Sequence, residues 1–330
     1  MRYVTACTFF AVIGLLAVTN AFAQAPSNPL EVALLRWYPV NQATQITSCG
    51  TAYNPTSYGA AFDGQHIWVG CYNANRIVEL NVSDGSVVRT ITTVTAPIAL
   101  AYDGANIWVS TPSSAVKVQA STGTVLGTYS LGVGPLGLAF DGQNIWAAAN
   151  SGGGFATKIL ATTGAHTNFP LTGCSEAVSV AFDGTNVWIG CYNGEVFELN
   201  TSGSILFSTY VSYPAYGLAF DGTNIWVATS NPGSCNCLVS INVQSKVVQF
   251  FNPGAPAGLG GLADIAFDGT YVWVVGGSFI SKVLASTGAV VASYSGDGLG
   301  WDAGWGGNPI AFDGANIWAT NSEQGTVYKF

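Results

Sequence analysis

Few side chains in this 330-residue chain stand where they could do chemistry. The first candidates lie in a glycine-rich stretch from Ser295 to Gly307, which carries Asp297, Trp301, Asp302 and Trp305. Indole rings on such a stretch can stack on a sugar ring while the carboxylates accept its hydroxyl hydrogen bonds. With Asp264, the same acids offer hard oxygen ligands to Ca²⁺, and Asp264 and Asp302 are the candidate pair for a metal. Glu176 and, more weakly, Glu323 join the acids expected on the same face.

Cysteines form the second set. Cys7 belongs to an apolar N-terminal run, leaving Cys49, Cys71, Cys174, Cys191, Cys235 and Cys237. Cys71 and Cys191 occupy matching strings, Gly70-Cys71-Tyr72-Asn73 and Gly190-Cys191-Tyr192-Asn193, and Cys49 and Cys174 precede them in the same way. Two copies of one bridge, Cys49 to Cys71 and Cys174 to Cys191, are therefore expected, with Cys235 and Cys237 left together by elimination.

Several reactions lack their residues. The two histidines, His66 and His166, both fall in or beside turns away from these acids, against a Ser-His-Asp triad and a His-rich metal centre. No Gly-x-Ser-x-Gly elbow, Gly-Lys-Ser/Thr phosphate loop or Cys-x-x-Cys-His haem site occurs. Charged residues make up only 8% of the chain, and 9 Lys and Arg face 17 Asp and Glu. Such a sparse, acidic set offers no basic stripe for phosphates, which argues against nucleic acid as a partner.

The elements that must position these residues come from a repeat. An apolar strand, Asp-Gly, two residues, an aliphatic residue and Trp recur seven times, with Asp63, Asp103, Asp141, Asp183, Asp221, Asp268 and Asp313 preceding Trp68, Trp108, Trp146, Trp188, Trp226, Trp273 and Trp318. The aspartates stand 38 to 47 residues apart, the period of a four-stranded propeller blade. In the second repeat the pattern gives strands over Ile98–Tyr102, Asn106–Ser110, Ala115–Gln119 and Val125–Ser130. Asp-Gly and Ser-Thr-Gly join them in pairs, because these residues tolerate positive φ. The last repeat has only three strands, so a segment within 31–40 is expected to supply its fourth and close the ring.

The fold expected is all-β: a seven-bladed β-propeller of four-stranded antiparallel blades, closed by an N-terminal strand completing the last blade. Residues 1–23 read as a signal peptide, with Arg2, an apolar run and Ala21-Phe22-Ala23 before Gln24. Residues 24–330 then form one propeller domain, with 31–40 as the closing strand and 41–330 as the seven repeats. The Asp-Gly turns fall on a uniform face, and the irregular crossovers and all six cysteines on the other.

Against this background Asp264 stands out. Four residues before each repeat aspartate come Gly59, Ala99, Gly137, Ser179, Gly217, Asp264 and Pro309. First strands line a propeller's channel, so one acid is expected there among small or cyclic residues. The seven repeat aspartates, by contrast, read as turn or cap residues.

The string Gly217-Leu218-Ala219-Phe220-Asp221-Gly222-Thr223-Asn224-Ile225-Trp226-Val227-Ala228 resembles the repeats of secreted bacterial NHL and YncE-like β-propellers. That resemblance implies the propeller fold over nearly the whole mature chain; the group holds binding modules and a few enzymes. Streptogramin lyases, similar in blade number, rely on a histidine, and none stands at a matching place here. Gluconolactonase-like propellers use a Glu, Asn and Asp metal set that Glu176, Asp264 and nearby Asn residues would imitate.

The leading functional reading is an exported, secreted or periplasmic, non-catalytic binding module, read as a monomer without a transmembrane span. Its crossover-loop face would recognise a glycan, a small polar ligand or a protein. The alternatives are a metal-assisted lyase or lactone hydrolase with carboxylates at the channel mouth, and a purely structural surface or matrix protein. No cofactor is required by the sequence, Ca²⁺ being the one ion its acids would suit.

Overall fold

Seven four-stranded antiparallel sheets are arranged in a ring. The computed structural model describes residues 44–47, 49, 57–229, 238–251, 262–276, 279–295, 310–321 and 325–330. These belong to the unit Val40–Phe330 and contain strands and turns but no helix. We number the sheets as blades 1 to 7 in the order of the repeats. Their first strands are Ser57–Phe62, Leu100–Tyr102, Gly134–Phe140, Ala177–Phe182, Ala215–Phe220, Leu262–Phe267 and Ile310–Phe312.

Each blade is built as its turn chemistry dictates. The glycines of all seven Asp-Gly turns have φ between 90° and 95°, a region closed to most side chains. In every repeat one Asp carboxylate oxygen accepts the backbone N–H groups two and three residues on, at 2.6–2.9 Å. The other oxygen accepts the indole N–H of the repeat Trp at 2.7–2.8 Å. One side chain thus fixes the hairpin and orients the largest core residue of the blade.

That Trp joins one blade to the next. Trp68 packs against Ile107, Val109 and Val118 of blade 2, and Trp188 against Ile225, Val227 and Ile241 of blade 5. Trp318 of blade 7 packs on Ile67, Val69 and Leu80 of blade 1, so the apolar contact runs around the whole ring. Six of the seven tryptophans are at most 1% exposed and Trp273 is 7% exposed. Each indole brings roughly 200 Å² of surface, worth several kcal/mol on burial before ordering costs.

Charges are spent on the same joints. Lys117, Lys158, Lys246, Lys282 and Lys329 are the chain's five lysines, and each ammonium sits over a repeat Trp ring, 4.8–5.8 Å from its centroid. Three also donate to a carbonyl of the next blade: Lys117 to Ala161, Lys158 to Thr201 and Lys329 to Val82. Lys246 is reached differently. It stands at φ 61° where blades 1, 2, 3 and 6 have Gly85, Gly123, Gly164 and Gly288, and it turns back to pair with the buried Glu198 of blade 4.

Thr44–Thr47 pairs antiparallel with Thr326–Lys329 and supplies the fourth strand of blade 7. Residues 31–40, to which the sequence reading gave that place, lie outside the described residues, as does the signal segment 1–23. Cys49–Cys71 and Cys174–Cys191 are both disulfide-bonded, with Cα atoms 5.4 and 5.6 Å apart. Each ties the segment entering a blade to the end of that blade's second strand. Cys235 and Cys237 lie outside the described residues.

Candidate functional site

At the axis the first strands approach so closely that three of them carry glycine where a Cβ would clash. A Cβ on Gly59 would meet Leu100 Cδ1 at 2.4 Å, and one on Gly137 would meet the Val178 carbonyl at 3.0 Å. Ser179 fits by donating its hydroxyl to the Ala215 carbonyl at 2.7 Å. The small residues of this position are therefore demanded by blade-to-blade packing. They leave a channel cavity of about 210 Å³, lined by aliphatic residues such as Leu100, Leu138 and Val180 together with Ser179, Tyr216 and Asp264.

Asp264 lines this cavity as the sequence reading expected. Its side chain is partly exposed to the channel while lying deep within the ring. Space for it comes from Gly217 on the adjacent first strand, where an added Cβ would fall 2.8 Å from both Asp264 Cα and Oδ1. Its Oδ2 accepts the backbone N–H of Ile310, in blade 7, at 3.1 Å, and the backbone N–H of Ile265 is a second donor. Burial nevertheless dominates, and the carboxyl is pushed up to about 7, the two backbone donors offsetting only part of the desolvation.

A second polar cluster lies in the neighbouring blades. Tyr216 occupies an irregularity between Ala215 and Gly217 in the first strand of blade 5, where a bulge re-aims a side chain, and it lines the same cavity. Its ring meets Tyr192 edge-on, with centroids 6.0 Å apart. Burial first, then the charge and the hydrogen bond of Tyr192 and the negative charge of Glu176, push the Tyr216 hydroxyl up to about 12. Tyr216 is thus a neutral hydroxyl at any physiological pH. Glu176 is half-buried on the segment entering blade 4; its carbonyl accepts the Tyr192 N–H at 2.8 Å, and its Oε2 is buried without a hydrogen-bond donor among the described residues.

Of the residues picked from the sequence, Asp264 and Glu176 are thus found in blades 6 and 4, the first in the channel and the second near Tyr192 and Tyr216. Asp297, Trp301, Asp302, Trp305 and Glu323 lie outside the described residues. The sequence reading missed Tyr192 and Tyr216. One position before the Asp264 row the repeats read Tyr58, Ile98, Leu136, Val178, Tyr216, Ala263 and Asn308, so Tyr216 was not singular in the sequence.

No protein-family model and no curated protein matches the chain. Solved structures do match. Hydrazine synthase of Kuenenia stuttgartiensis superposes with a TM-score of 0.73 at 14% identity, over 85% of this chain and 97% of that one. A streptogramin B lyase gives 0.69 at 16% identity, over 87% and 96%, and the Cps50 (Swd1) β-propeller domain of Myceliophteria thermophila gives 0.66 at 12%, over 86% and 98%. The chain is a seven-bladed β-propeller. At these identities the likeness is one of fold, shared by proteins of unrelated roles, and the site must be read from its own residues.

Proposed function

We propose that this chain is an exported, non-catalytic binding module that takes a small polar ligand, or the end of a glycan, into the crossover end of its channel. Asp264 anchors the ligand's donor groups and Tyr216 adds a neutral hydroxyl. The observation that carries this reading is the singular carboxyl of Asp264. It alone is acidic among the described residues of its row, and it lines the channel cavity together with Tyr216.

The segment with Asp297, Trp301, Asp302 and Trp305 runs in sequence into Ile310, whose N–H Asp264 accepts, and these four residues are proposed as further ligand-binding residues. Export accords with the signal-like residues 1–23 and with two disulfides, which persist in oxidising compartments. A metal-assisted reaction would draw its second carboxylate from Asp297 or Asp302, which lie outside the described residues.

Crystals soaked with a fragment set of sugars, amines and polyols test the site. Density within hydrogen-bond reach of the Asp264 carboxyl is expected, and fragments that bind only elsewhere would refute it.

A further inference from the structure

Blade 1 departs from the scaffold at two positions that face each other. Three residues after the repeat Asp, five blades carry Asn106, Asn144, Asn186, Asn224 or Asn316 and blade 6 carries Tyr271, whereas blade 1 carries His66. Across from the repeat Trp, four blades place Lys117, Lys158, Lys282 or Lys329, whereas Trp68 faces Glu79. The cation that lies over Trp in those four blades is replaced by an acid beside an imidazole.

We propose that Asp63, His66 and Glu79 form a binding site for a divalent transition-metal cation of the Zn²⁺ type. His66 Nδ1 lies 3.1 Å from Glu79 Oε1 and 3.5 Å from Asp63 Oδ2, and one donor atom from each residue falls within 4.8 Å of the others. Ligands about 2.0–2.1 Å from a tetrahedral ion stand about 3.3 Å from one another, so the first two separations need almost no adjustment. One nitrogen and two carboxylate oxygens suit Zn²⁺ better than the all-oxygen shell Ca²⁺ prefers.

The surroundings fit such a site. Asp63 Oδ2 is oriented by the Trp68 indole N–H at 2.7 Å and keeps a further lone pair. Glu79 is 1% exposed, and its Oε2 accepts no hydrogen bond, having only the Arg89 Nε as a charge neighbour at 3.2 Å. Arg89 in turn is held by the Ala120 and Ser121 carbonyls of blade 2, both at 3.3 Å, which keeps it on Oε2 and away from Oε1. An open cavity of about 650 Å³ adjoins the three ligands and gives solvent access to a fourth coordination position. The site lies at the Asp-Gly end of blade 1; in the same second strand, His66 is the first residue and the disulfide-bonded Cys71 the last.

Blade 4 supplies an internal control. There Asn186 donates to Glu198 Oε1 at 2.9 Å and Lys246 pairs with Oε2, so each oxygen faces a donor and no imidazole stands beside the acid to complete a ligand set. His66→Asn would recreate that arrangement with a residue five blades already carry, and should fold.

Isothermal titration of tag-free, chelator-stripped protein with ZnCl₂ decides the matter. One equivalent is expected to bind wild type and His166→Asn alike and to raise the Tm of both, with at least tenfold weaker binding to His66→Asn and Glu79→Gln and little Tm change in those two. Absence of stoichiometric binding, or equal binding by His66→Asn, would overturn the site. The melting temperature of metal-free His66→Asn verifies its fold, so loss of binding cannot be mistaken for unfolding.

Discussion

Asp183 Oδ2 accepts the Trp188 indole N–H at 2.8 Å, while Asp183 Oδ1 holds the backbone N–H groups of Thr185 and Asn186. A turn residue and a core residue are thereby one structural unit, repeated in seven blades. Trp188→Ala should cost about 3–5 kcal/mol in urea unfolding, through lost packing against blade 5 and an orphaned carboxylate oxygen. Asp183→Ala should cost about 2 kcal/mol with the tryptophan still in place. If the repeat aspartates were instead a functional ring, the second substitution would leave stability unchanged.

The same bonds set the acid limit. Burial alone would raise Asp63, Asp103, Asp141, Asp268 and Asp313, but the indole and backbone donors outweigh it and hold all five below their ordinary value of 3.8. Carboxyls depressed in the folded state contribute stability that is complete above about pH 4 and is lost as pH falls through their folded values. The urea midpoint should therefore drop steeply between pH 4 and pH 2. A midpoint that stays flat over that range would show that these bonds carry little energy.

Asp264 has the opposite sign. Its folded carboxyl titrates near 7 against an ordinary 3.8, so the folded chain holds this proton more tightly than the unfolded one, and stability is lost as pH rises from about 4 to 7. Asp264→Asn should stabilise the protein relative to wild type by roughly 2–4 kcal/mol at pH 8 and by little at pH 4. The check is the difference between the two urea curves as a function of pH; a constant difference would mean an ordinary carboxyl.

Lys246 adopts a left-handed backbone that four other blades give to glycine, and its ammonium partners the buried Glu198 while lying 4.9 Å from the Trp188 ring centroid. Replacing it with glycine relieves the backbone by roughly 1 kcal/mol but leaves Glu198 without its cation. Lys246→Gly should be destabilising by about 1–3 kcal/mol, and adding Glu198→Gln should recover most of the loss. A stabilised single variant would show that backbone strain outweighs the pair.

The repeat made the scaffold legible because Asp-Gly and Trp carry it in every blade, and it also exposed Asp264 as a departure from a row of small residues. The matching strings around Cys71 and Cys191 revealed the disulfides in the same way. What escaped is what a repeat cannot show. The Asp-Trp hydrogen bond joins two residues whose separate roles already explained their recurrence. Tyr216 is aimed at the channel by a strand irregularity, and the facing of His66 and Glu79 depends on a cross-strand register that single positions do not reveal. The closing strand was sought at 31–40, where the apolar pattern is stronger, while the place is held by the short Thr44–Thr47, recognisable only through its pairing with Thr326–Lys329.

The most direct measurement is a paired thermal-shift screen of sugars, amines and polyols against wild type and Asp264→Asn. A channel anchored by Asp264 predicts compounds that raise the wild-type Tm by several degrees and lose that effect in Asp264→Asn, at a pH where both proteins are folded. Compounds that shift both proteins equally would contradict it.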